Sequence, residues 1–161
     1  MIIRPANEVD WDEIYPFFCR IVDAGESYAY PLGASKEIAH ELWMAKPPAL
    51  TVVAEIEGVV VGSATMGPNR PGRGAHVVTA SFMVSPDHQG RGVGKALGKY
   101  VVQWAHDTGF HSIQFNAVVE TNHAAVHLWH SLGFEILATV PEAFDHPEHG
   151  LVGLHVMYLR L

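Results

Sequence analysis

The chain has 161 residues, 48% of them hydrophobic, a single cysteine, and 10 Lys plus Arg against 17 Asp plus Glu, for a formal net charge of −7. That length matches one domain of about 150 residues and supports a core without covalent staples, while the acidic balance excludes the basic footprint of a duplex-binding protein and lone Cys19 excludes an internal disulfide or a cysteine zinc cluster. No apolar run approaches the ~18 residues of a membrane span, and the Met1-Ile2-Ile3-Arg4-Pro5 opening lacks the basic head and apolar core of a signal peptide, so residues 1–161 are expected to form one cytoplasmic domain.

In chain order, Ile2-Ile3-Arg4 reads as a short strand, and Pro5 to Asp10 as a turn into a helix with Ile14, Phe17, Phe18, Ile21 and Val22 at helical spacing. Pro16 is placed in the first turn of that helix or at a kink. Gly25 to Gly33, with Tyr28 and Tyr30, is a loop; Ser35 is the expected N-cap of a second helix that puts Ile38, Leu42 and Trp43 on one face and stops before Pro47-Pro48. From Thr51 the period becomes extended: Thr51 to Ile56, a Glu57-Gly58 turn, and Val59 to Met66 form a hairpin. A loop from Asn69 to Gly74 leads to a third long strand, His76 to Val84. Pro86 to Gly94 is a Gly-rich loop before a helix with Val93, Leu97, Tyr100, Val101 and Trp104 as its apolar stripe, ended by Gly109. Ile113 to Val119 is a strand; Asn122 caps a helix whose inner face is Ala125, Leu128, Trp129 and Leu132, closed by Gly133. Phe134 to Val140 and Val152 to Leu159 are final strands joined by a polar loop. The order β-α-α-β-β-β-α-β-α-β-β describes a mixed α/β layer structure.

The strongest chemical signal is Phe82-Met83-Val84 running into Gln89-Gly90-Arg91-Gly92-Val93-Gly94 and a helix. A strand, a glycine-rich turn and a helix N-terminus in that order aim consecutive amides and the positive end of the helix dipole into one concavity, a phosphate cradle. The segment lacks the Lys-Ser/Thr of a Walker loop and has no dinucleotide fingerprint around it.

With Gln89-x-x-Gly92-x-Gly94 after Met83-Val84, followed by Asn122-x-x-Ala125-x-x-Leu128-Trp129-x-x-x-Gly133-Phe134, the chain resembles the GNAT superfamily of acetyl-CoA-dependent N-acetyltransferases along its whole length. The resemblance implies a mostly antiparallel mixed sheet of about seven strands, splayed near Val84 and Val119 and flanked by about four helices. It implies that the amides of Gln89, Gly90, Arg91, Gly92, Val93, Gly94 and Lys95 hold the CoA pyrophosphate. The backbone of Met83 and Val84 would pair with the pantetheine arm, with Asn122, Ala125 and Trp129 on its far side. The acetyl group would pass directly to a neutral amine through a tetrahedral intermediate, with the Val84 N–H as oxyanion donor. Trp129 stands where many relatives carry a tyrosine acid, and an indole N–H donates a hydrogen bond but supplies no proton.

Gln114-Phe115-Asn116-x-Val118-Val119-x-Thr121-Asn122, with Leu132-Gly133-Phe134-Glu135-Ile136 and Pro141, is similar to the branch holding the fungal acetyltransferases of azetidine-2-carboxylate and other proline analogues. That likeness puts Asn116 and Asn122 on a small imino-acid acceptor, and Thr79 where the branch has a further asparagine. Tyr28, Tyr30 and Leu32 would wall the acceptor pocket. Glu120, an even number of residues from Asn116, is a candidate base on the same strand face; His76, His123 and His127 are others by their titration range. Arg70 and Arg73 offer guanidinium groups to a substrate carboxylate or to phosphates. His123, His127 and His130, and the Asp145 to His149 cluster, lack an HExxH pattern and read as surface or supporting residues, so no metal is expected. A small-molecule amine acceptor and a homodimer through the final strands complete the expectation; a protein N-terminal or lysine acetyltransferase and a non-catalytic acetyl-CoA sensor are the alternatives.

Overall fold

The computed structural model describes residues 1–161. Seven strands are β1 (Ile2–Pro5), β2 (Leu50–Ile56), β3 (Val59–Pro68), β4 (Val77–Val84), β5 (Ser112–Val119), β6 (Glu135–His146) and β7 (Gly150–Arg160). The α-helices are α1 (Trp11–Ala24), α2 (Lys36–Trp43), α3 (Val93–Asp107) and α4 (His123–Ser131). The strands form one sheet in the order β1-β2-β3-β4-β5-β7-β6, antiparallel except between β4 and β5. Element order and sheet character match the sequence reading.

Alternation along the strands builds the two faces. Val52, Ala54 and Val61 pack with Val93, Leu97 and Val101 of α3 and with Trp129 of α4. Val53, Val60 and Met83 turn to the opposite face, against Ile14, Phe18 and Val22 of α1 and Ala39 and Trp43 of α2. No helix is long and apolar enough to cross a membrane.

Three expectations change. Ile38 and Leu42 are 51% and 38% exposed, and the buried face of α2 is instead Ala39 with Trp43. The rotation is fixed by the Trp43 indole, which donates to Ser63 Oγ at 2.9 Å while that hydroxyl donates to the Val52 carbonyl at 2.8 Å. Pro16 lies in the second turn, because the helix already begins at Trp11; the missing amide hydrogen is tolerated and α1 runs on to Ala24. The expected loop over residues 141–150 is mostly strand: β6 extends to His146, and shifts of register between Ile136 and Ala138 and between Val140 and Phe144 absorb Pro141.

Candidate active site

The site begins where the sheet parts. β4 and β5 pair only at Val77 with Ser112 and Val78 with Ile113, after which β4 stays with β3 and β5 stays with β7. Odd positions of β4 serve β3: the Ser85 amide donates to the Val61 carbonyl at 2.9 Å, and the Asn69 amide donates to the Val77 carbonyl at 2.7 Å. Even positions face β5, as His76 does in accepting from the His111 amide at 2.9 Å. Beyond Val78, therefore, Phe82 and Val84 turn their main-chain groups into the gap. This corrects the expectation for Met83, whose peptide groups belong to the ladder opposite Ser63 and whose side chain is 1% exposed. Two cavities open along the gap: an inner one of about 510 Å³ and an outer one of about 890 Å³ that meet at Val84, Gln89, Asn122 and Ala125.

The outer cavity is floored by the turn after β4. Gly90 and Gly92 sit at φ 74° and 77°, the left-handed region that glycine occupies without strain, and a Cβ built on either meets nothing within 4 Å. Helix α3 starts at Val93 with no side-chain cap, and its first internal bond runs from the Ala96 amide to the Gly92 carbonyl at 3.0 Å. The amides from Gln89 to Lys95 consequently have no acceptor within the chain. A row of unpaired donors at a helix N-terminus, open above two glycines, suits a phosphate group. Lys95 borders the cavity, Arg91 is exposed outside its lining, and Val93 is buried and offers only its amide. The turn is held from α1 by Arg20, which donates to both carboxylate oxygens of Asp87 (2.7 and 3.2 Å) and keeps that carboxyl below its usual range.

The inner cavity has an aromatic wall. Trp129, 5% exposed, lies 4.6 Å from Phe82 and 4.8 Å from Phe115 between ring centroids, and Phe115 stacks on Phe134 at 4.3 Å. Asn122 borders both cavities and caps α4, its Oδ1 accepting from the Ala125 amide at 3.1 Å.

At the far end, Asn116 is joined to the expected Thr79 and to Asn69 and Gln114, which sequence reasoning gave no role. Its Nδ2 donates to Asn69 Oδ1 at 2.7 Å and to Thr79 Oγ1 at 3.4 Å, while its Oδ1 accepts from Gln114 Nε2 at 2.9 Å and Asn69 Nδ2 at 3.3 Å. Asn116 and Thr79 border the inner cavity, as do Tyr28 and Tyr30. The Tyr28 hydroxyl donates to the Phe82 carbonyl at 2.5 Å and accepts from the Phe82 amide at 2.9 Å. Its ring stacks on Tyr30 at 5.2 Å, and burial pushes both phenols above the ordinary range.

Other candidates fall outside. Leu32 is 72% exposed and walls nothing. Glu120 borders neither cavity: a register shift between Phe115 and Val118 breaks the even spacing from Asn116, and its carboxylate accepts the Gly153 amide. His76 packs edge-on to His111, His127 borders neither cavity, and His123 lies on the outer one. Arg70 donates to the Asn69 carbonyl at 3.0 Å, and neither it nor Arg73 lines a cavity. No group of three or more His, Cys, Asp or Glu is arranged to hold a metal.

Comparison with known proteins bears on this arrangement. The model of the acetyltransferase (GNAT) family matches residues 11–134. Among curated proteins the chain is 32% identical over 97 residues to N-acetyltransferase aca1 of Schizosaccharomyces pombe, covering 60% of this chain and 46% of that protein. It is 39% identical over 92 residues to the L-amino acid N-acyltransferase MnaT of Escherichia coli, covering 56% of this chain and 53% of that protein. The chain thus spans about half the length of the curated relatives it matches. Among solved structures, a GCN5-related N-acetyltransferase from Kribbella flavida is 55% identical with a TM-score of 0.96, covering 99% of this chain and 97% of that one. The yncA protein of Salmonella typhimurium, solved with its cofactor acetyl-CoA, is 28% identical with a TM-score of 0.84, covering 100% and 94%.

Proposed function

Because the chain belongs to the acetyltransferase (GNAT) family, we propose that it moves an acetyl group from acetyl-CoA to the amine of a small molecule of the amino-acid or imino-acid type. The observation that carries this reading is the run of unpaired amides from Gln89 to Lys95 opening beside the even-numbered edge of β4. Bound acetyl-CoA supplies a thioester carbon that an uncharged amine attacks. The chain's own part is to bind and orient. The amides of Gln89 to Lys95 and the α3 dipole take the pyrophosphate without needing net positive charge, which answers the −7 of the chain. The Val84 main chain, turned into the gap without a partner in the chain, offers the next anchor along the arm. Asn122, Ala125 and Trp129 close the far side, and the Phe82, Phe115 and Trp129 rings give the inner cavity an apolar wall. Asn116 and Thr79 face the acceptor with a polar patch free of charged side chains.

Acceptor size supports a small molecule: an inner cavity of about 510 Å³ walled by Tyr28, Tyr30 and Phe144 has room for an amino acid. The L-amino acid acyltransferase relative points the same way. A homodimer, expected from the resemblance, and the cytoplasmic location expected from the sequence belong to the same proposal. The test is thiol release from acetyl-CoA with free L-amino acids, cyclic imino acids and peptides with free N-termini. Turnover of the first two, reduced at least tenfold in Asn116→Ala, is expected. Turnover of peptides alone would reassign the protein as a protein acetyltransferase, and no release above hydrolysis with any acceptor would make it a non-catalytic binder.

A further inference from the structure

The strand edge that faces the gap is already partly occupied by the protein itself. Of the main-chain groups β4 turns away from β3, those of Val84 have no partner, whereas both the N–H and the C=O of Phe82 are taken by the Tyr28 hydroxyl. A phenol has one hydrogen to give and lone pairs to accept with, so a single hydroxyl here does what a neighbouring strand's peptide group would do. Tyr28 belongs to no helix or strand; it rides the loop between α1 and α2, stacked on Tyr30 and edge-on to Trp43 at 6.1 Å.

A ligand arm that adds to β4 as a strand meets it at alternate residues, roughly 6.6 to 7 Å apart, so Val84 and Phe82 are its successive anchor points. We propose, building on the acetyl-CoA reading above, that the Tyr28 hydroxyl is a placeholder at Phe82 which the donor's acyl end displaces, so that donor binding frees the loop walling the acceptor end. In the free protein the placeholder satisfies a peptide group that would otherwise lie unpaired in an apolar, aromatic-lined cavity. When the donor arrives, the Phe82 amide passes from phenol to ligand, and the released phenol stays protonated because a tyrosine hydroxyl titrates at about pH 10. The acceptor wall formed by Tyr28 and Tyr30 therefore takes its working shape only after the donor is seated. Tyr28 is a positioning residue in this scheme: it tunes donor affinity and loop order without touching the bond that breaks.

The experiment compares wild type with Tyr28→Phe, using acetyl-CoA as the probe. Removing the competing hydroxyl is expected to tighten acetyl-CoA binding by calorimetry about fivefold, the worth of one ordinary hydrogen bond. The Phe82 amide, followed by hydrogen exchange, should be protected in free wild type, exchange at least tenfold faster in free Tyr28→Phe, and be protected again in both once acetyl-CoA binds. A second readout does not depend on the variant's folding: with 3-fluorotyrosine incorporated in the wild type, the Tyr28 fluorine resonance should move on adding acetyl-CoA. An unmoved resonance, or equal or weaker binding by a folded Tyr28→Phe, means that the hydroxyl stays in place and overturns the placeholder while leaving the donor site intact. Failure of both proteins to bind acetyl-CoA overturns the donor reading and the placeholder with it.

Discussion

Replacing Gly92 separates the backbone requirement of the cradle from its binding role. Gly92 sits at φ 77° and ψ 6°, and an alanine there adopts a left-handed conformation at a cost of about 1 to 2 kcal/mol. Nothing lies within 4 Å of the added Cβ, so no clash adds to that strain. For a chain of 161 residues, Gly92→Ala should lower Tm by roughly 2 to 4 °C per kcal/mol. The same methyl occupies open space on a residue that borders the outer cavity, where the ligand's phosphate would lie. Losing about two charge-assisted hydrogen bonds, each worth roughly 1.5 to 3 kcal/mol, weakens acetyl-CoA by about 100-fold or more. Gly92→Asp adds a like charge, and its extra loss should shrink between low and high salt, whereas the alanine loss should not. The assay is calorimetry with acetyl-CoA at two salt concentrations beside a thermal melt. An alanine variant with the expected Tm but affinity within threefold of wild type would refute the cradle; a fall in Tm above about 10 °C would show that the residue's role is structural.

Two further outcomes follow from residues near the ends of the sheet. Asp10, 3% exposed, accepts from both terminal nitrogens of Arg4 at 2.8 Å, and that hydrogen bonding holds its carboxyl below the usual range. A depressed carboxylate contributes stability above its unfolded pKa of about 3.9 and loses it as pH falls through the folded value. Asp10→Asn should therefore cost about 2 kcal/mol by urea unfolding at pH 6, with the gap to wild type closing as pH falls from about 3.9 through the depressed folded value; a constant gap would show that the ion pair contributes nothing. Glu120→Gln should leave kcat unchanged from pH 6 to 9, since the carboxylate is spent on Gly153 and borders neither cavity. A hundredfold loss of kcat would restore Glu120 as the base.

What the sequence revealed and what it hid divide along the range of the contacts. Gln89 to Lys95 and the Asn122 cap are local: their geometry depends on glycines and a cap residue within a few positions, so the pattern of residue types carries it. The hairpin over residues 51–66 is legible for the same reason. Glu120 misled because one shift of register between Phe115 and Val118 reverses which way later side chains point, and no residue type announces it. Asn69 was invisible as a partner of Asn116, since the pair is 47 residues apart and meets only through the registers of β3, β4 and β5. Met83 was assigned a role that belongs to its even-numbered neighbours, because the parity of β4 is set by Val61 and Asn69 across the ladder. The eleven histidines, more than the ten Lys plus Arg, gather in no group that could hold a metal.

The long outermost strand has a bearing on solubility. A sheet edge is a template on which other chains aggregate, and proteins blunt such edges with prolines, bulges, charges or brevity. In β6 the ladder slips twice, Pro141 has no amide hydrogen to offer, Glu142 takes a left-handed φ of 53°, and Glu135 and Asp145 put charge near the ends. At the other margin β1 has only four residues and finishes on Pro5. With both outer margins made unfit for strand addition, the accessible edge suited to receiving one is the interior side of β4, so the same covering that guards this chain against fibril growth reserves β-pairing for a ligand of a single arm's width.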